Sequence, residues 1–101
     1  MRQLRVVNSE EVQGPDSFVK VRSPLWDEVK ALRQVQREGD EDEALERAEE
    51  MVRECVVEWN WTDENGNPLP LPGKMERLGE MLTAEEMKFL IRAIAKKDTK
   101  N

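Results

Sequence analysis

Four features of this sequence carry residue types that do chemistry in other proteins: an alternating Asp63, Asn65, Asn67 run, a Trp59 and Trp61 pair, a lone cysteine at Cys55, and a dense acidic run from Glu38 to Glu50. The first alternates as calcium ligands do in the opening half of an EF-hand loop. That pattern then fails twice. The required glycine position holds Pro68, with Gly66 two residues early, and the position of the closing glutamate holds Lys74. Asn65-Gly66 is expected to form a tight turn instead.

The tryptophan pair has three readings. At alternate positions of an extended segment both indoles point the same way, as a stacking platform for bases, a ledge for a carbohydrate or peptide, or two core anchors. No basic residues flank them, so base stacking is disfavoured. Core packing leads in a chain with so few aromatics, and an exposed ledge for a partner protein comes second. Eight of the thirteen residues from Glu38 to Glu50 are acidic. They can mimic nucleic acid or hold a cation, but acids gathered at a helix N-terminus are ordinarily a solvated face favoured by the dipole. Cys55 cannot form an internal disulfide, which agrees with a reducing compartment, and a small buried helix residue is its expected role.

The commonest acid–base group and zinc ligand is missing, because the chain has no histidine. None of the 22 acids sits in a setting that suggests a desolvated, shifted carboxylate, and no glycine-rich phosphate loop occurs. The expectation is a non-enzyme without metal or cofactor. A formal charge of −6 argues against nucleic acid and anionic membranes. No apolar run approaches a membrane span, and MRQLRVV lacks the apolar stretch of a signal peptide, so a cytoplasmic protein with protein partners is expected.

At 101 residues the chain fits one domain. Leu4–Val7 and Phe18–Arg22 read as strands separated by the Gly14-Pro15 turn signal, so residues 1–22 form a β-ribbon. Ser23-Pro24 starts a helix that Gly39 ends, with Leu25, Trp26, Val29, Leu32 and Val35 on its apolar face. Asp40 opens a second helix whose stripe runs from Ala44 through Met51, Val52 and Cys55 to Val56 and Trp59, making 23–58 a helical hairpin. Residues 59–73 form a Trp/Pro-rich loop, since Pro68, Pro70 and Pro72 exclude a central strand. A short helix containing Met75, Leu78, Met81 and Leu82 follows. Thr83 and Glu86 match a capping box for a last helix, about Ala84 to Lys97, with a polar tail from Asp98 to Asn101. The fold class expected is mainly α: a small helical domain of three to four helices with a short N-terminal β-hairpin and a Trp/Pro-rich loop. Trp59, Trp61, Leu69, Leu71 and Trp26 are the candidate protein-binding residues.

The stretch Val56-Val57-Glu58-Trp59-Asn60-Trp61-Thr62-Asp63-Glu64-Asn65-Gly66-Asn67-Pro68-Leu69-Pro70-Leu71-Pro72, followed by Leu82-Thr83-Ala84-Glu85-Glu86 and Leu90-Ile91-Arg92-Ala93-Ile94, resembles small proteins of tailed-phage structural gene clusters. With the upstream strand and helix, the resemblance spans about Phe18 to Ala95. The nearest named family is the tail assembly chaperones of long-tailed (siphovirus-type) bacteriophages. The resemblance implies binding to the tape-measure protein and the tail-tube protein during tail morphogenesis, in the cytoplasm of the bacterial host, with self-association left open. That family often makes a longer product by ribosomal frameshifting, and A-rich codons for Lys96-Lys97 would suit it. Two other roles compete: a virion structural protein, as a tail or head-completion subunit, and a small regulatory adaptor that works by acidic mimicry.

Overall fold

A computed structural model describes residues 2–95. Their element order is β1 (Arg5–Asn8), α1 (Glu10–Gln13), β2 (Phe18–Val21), α2 (Trp26–Glu38), α3 (Glu41–Cys55), β3 (Val56–Trp59), a 3-10 turn (Pro72–Lys74), α4 (Leu78–Met81) and α5 (Ala84–Ala95). The expected extension of the last helix to Lys97, the Lys96-Lys97 pair and the polar tail lie outside the described residues.

The mainly helical fold class expected from the sequence is wrong. The molecule is a mixed α/β domain with five helices and a three-stranded antiparallel sheet of order β1-β2-β3 among the described residues. The two N-terminal strands pair with Arg5 opposite Val21 and Asn8 opposite Phe18, and β2 also pairs with β3. The segment that forms β3 was expected to continue the second helix. Between Lys20 and Val21 the β2–β3 register slips, so that Trp59 faces Val19 and Glu58 faces Lys20, while Val56 faces Val21. Val57 is the extra residue of this bulge. Both Val56 and Trp59 therefore turn toward the core while Val57 and Glu58 turn outward. That spacing of three is a helical spacing, and a bulged strand imitates it. The free edge of β2 decides the matter, because its backbone groups need partners that only an extended segment supplies.

Three boundaries also differ from expectation for local reasons. α2 begins at Trp26 rather than at Ser23-Pro24: the Glu28 carboxylate accepts from the Leu25 backbone N–H at 2.7 Å, satisfying the first turn from inside the helix. The 3-10 turn and α4 replace the single helix expected to contain Met75. Here the Arg53 guanidinium donates to the carbonyls of Pro72, Met75 and Glu76, drawing them out of a helical ladder. α1 was not expected; Asn8 Oδ1 accepts from Glu10 N–H at 2.8 Å, an Asx turn that leads the chain from β1 into it.

The core lies between the sheet and the pair α3 and α5. Val19, Val21, Val52, Cys55 and Leu90 are fully buried, with Trp61, Leu78 and Ile94 nearly so. Side chains of this size contribute about 1.5–3 kcal/mol each on burial. α3 packs against α2, the 3-10 turn and α5. Its start follows the sequence reading, with Asp40 Oδ1 accepting from Glu43 N–H at 2.8 Å. The capping box of α5 is also formed: Thr83 N–H donates to Glu86 Oε1 and Glu86 N–H to Thr83 Oγ1. No helix among the described residues is long and apolar enough to cross a membrane.

Candidate protein-docking surface

The Trp/Pro loop is held inward by its own polar atoms. Trp59 ends β3 and Trp61 lies two residues on, so the indoles share a face; they stack with ring centroids 4.5 Å apart and planes 9° from parallel. Trp61 also meets Phe89 of α5 at 6.2 Å. Its indole N–H donates to Ser9 Oγ at 2.9 Å, Ser9 donates to Ser17 Oγ at 2.8 Å, and Ser17 donates to the Gly14 carbonyl at 2.8 Å. Ser9 and Ser17 are both buried, so this relay satisfies polar groups that burial alone would penalise. Gly14 has a φ of +94°, a conformation that favours glycine, and so places its carbonyl at the end of the relay.

Trp59 donates its indole N–H to the Leu69 carbonyl at 3.1 Å, and Leu69 N–H returns to the Trp61 carbonyl at 2.9 Å. Leu69 and Leu71 are half-buried against the core. At the loop tip Asp63 Oδ1 accepts from the backbone N–H groups of Asn65 and Asn67, both at 2.9 Å, and Gly66 takes a φ of +83°. Asp63 Oδ1 is thus committed to the turn. Among the described residues no three His, Cys, Asp or Glu side chains gather as a metal site. Cys55 is fully buried, and burial pushes its thiol up to about 11, so it stays protonated at neutral pH.

Of the five residues singled out in the sequence, four thus gather in one place: Trp59, Trp61 and Leu69 in direct contact, with Leu71 packed on the same core. Trp26 stands apart. It opens α2, is 68% exposed, and has only Lys30 Nζ over its ring at 5.9 Å. It is the tryptophan available to a partner.

The surface that sequence reasoning missed lies beside it. α2 has no buried residue at all, although its apolar stripe is continuous. Val29 and Leu32 are half-buried and form one wall of a groove of about 510 Å³, with Ile91 of α5 opposite and Met51 and Ile94 as the buried floor. Arg5 of β1 donates to the Ile94 carbonyl at 3.1 Å and, with Arg33 and Gln36, supplies polar groups to the groove. One signal was legible: Lys30, Arg33 and Arg37 give α2 a basic side in an acidic chain, and Arg33 of these lines the groove. The gap between α2 and α5 was not, because it depends on where β3 sends the chain. Chemically this arrangement can hold an apolar ridge between its two helices. The chain matches no protein-family model, no curated protein and no solved structure.

Proposed function

We propose that this protein works by holding a segment of another protein in the groove between α2 and α5, as an assembly factor of the phage-tail chaperone type. The observation that carries the reading is the helix α2, which presents Val29 and Leu32 to an apolar floor yet buries none of its residues. An amphipathic helix of this kind ordinarily buries its stripe, and a stripe left only half-covered beside a groove serves helix-in-groove recognition. The resemblance of the Val56–Pro72 stretch to tail assembly chaperones makes the tape-measure and tail-tube proteins the candidate partners, met in the cytoplasm of the bacterial cell. Co-expression and affinity capture with each of them tests this. Capture is expected with at least one and lost in Val29→Asp; capture of neither, or capture indifferent to Val29→Asp, overturns the reading.

One observation favours a second reading. Among the described residues the outer edge of β1 is unpaired, and Val6 on it and Leu4 just before it are 64% and 51% exposed. An open edge with exposed apolar side chains suits a subunit that joins a strand to a neighbour in a virion. Proteomics of purified particles separates the two, because a chaperone is absent from finished particles and a structural subunit remains.

A further inference from the structure

We propose that the groove between α2 and α5 selects an acidic amphipathic helix of a partner protein, a specificity that rests on the groove being the docking site. Its charge is the reason. In a chain with a formal charge of −6, the described residues that line the groove include two cations, Arg5 and Arg33, and no carboxylate. Three other surface depressions all contain acids. One pairs Glu11 with Arg92, one carries Asp63, Glu64 and Glu86, and one carries Glu28, Glu50 and Glu54. The apolar groove is therefore set apart by sign as well as by lining.

Among the described residues Arg33 forms no ion pair, so its guanidinium is free to meet an incoming carboxylate. Arg5 is fixed at the opposite rim by its bond to the Ile94 carbonyl, which spends only part of its donor fork. The wall residues of α2, Val29, Leu32 and Gln36, recur at three and four positions, one row along about two helical turns. A partner helix with aliphatic residues at i, i+3 or i+4, and i+7 matches that row. Carboxylates flanking its apolar stripe then fall toward Arg33 on one side and Arg5 on the other. A basic partner would meet like charges at both rims, a repulsion that excludes wrong partners more strongly than matching charges improve affinity.

The test uses two synthetic peptides of about four helical turns, identical in their leucines and carrying either glutamates or lysines beside them. Fluorescence anisotropy of the labelled peptides is titrated with the full chain. The acidic peptide is expected to bind roughly tenfold tighter at low salt, with the preference shrinking as salt screens the exposed rim. Arg33→Glu should reverse the preference, which loss of folding cannot do. Equal binding of both peptides by the wild type overturns the charge rule while leaving the docking site standing. A preference that survives Arg33→Glu also overturns it. Binding of neither peptide overturns both this inference and the docking reading beneath it. If sedimentation shows a dimer that Arg33→Glu dissolves, the groove belongs to a second copy and the proposal fails.

Discussion

At the scale of single residues, the tryptophans divide by what their indole N–H groups reach. Trp61 ends on a relay of two buried serines and a glycine carbonyl, and Trp59 ends on Leu69, whereas Trp26 lies open on α2. Replacing Trp61 with phenylalanine removes the donor that meets Ser9 Oγ and leaves that buried hydroxyl with its bond to Ser17 alone. A loss of about 1–3 kcal/mol is expected from urea unfolding. Ser9→Ala should cost a similar amount, and the double variant less than the sum, because both break one relay. Additive losses would show the relay to be energetically idle. Cys55 gives a second prediction. Its burial keeps the thiol protonated up to about 11, so an aromatic disulfide reagent at pH 8 should label it only at the rate of unfolding. Labelling as fast as that of a free thiol would contradict the burial.

Among the elements, those with local signals were readable and those formed by distant partners were not. Asp40 and Thr83 each act within three residues, so α3 and α5 start where composition placed them. Asp40→Ala should destabilise the protein by about 1 kcal/mol, measured by thermal or urea melts, with little change in the binding groove. A neutral result would mean that the acids Glu41 to Glu43 satisfy that helix end without the cap. β3 shows the opposite case. The spacing of Val52, Cys55, Val56 and Trp59 fits one continuous helix, and only the bulge against β2 explains why the last two, Val56 and Trp59, point inward from a strand. Arg53 likewise reshapes residues 72–76 from nineteen to twenty-three positions away, which no window along the chain detects.

For the molecule as a whole, the ion pair between Arg22 and Glu28 ties the sheet to α2. Arg22 leaves β2 and its guanidinium approaches Glu28 at 3.2 Å, while Arg22 Nε donates to the Glu54 carbonyl at 3.1 Å. The hydrogen bond from Arg22, helped by the Leu25 N–H, holds the Glu28 carboxyl below the ordinary glutamate range despite some desolvation. A carboxylate with a lowered value in the folded state adds stability above its unfolded value and loses it as pH falls through the folded one. Glu28→Gln should therefore be less stable than the wild type by about 1 kcal/mol at neutral pH. Urea melts should show that gap closing below the ordinary glutamate range. A gap that persists in acid would assign the effect to packing. What the sequence alone determined was a set of local facts: the caps of α3 and α5, the turn at Asn65-Gly66, the absence of histidine, and the burial expected of Cys55. Tertiary structure decided that Val56–Trp59 is a strand, that Trp59 and Trp61 face inward, and that α2 stands away from α5 with a basic-rimmed groove between them. Caps and turns are settled by neighbours a few residues away. The pairing of β2 with β3 and the groove depend on contacts made only once the whole chain has closed on itself.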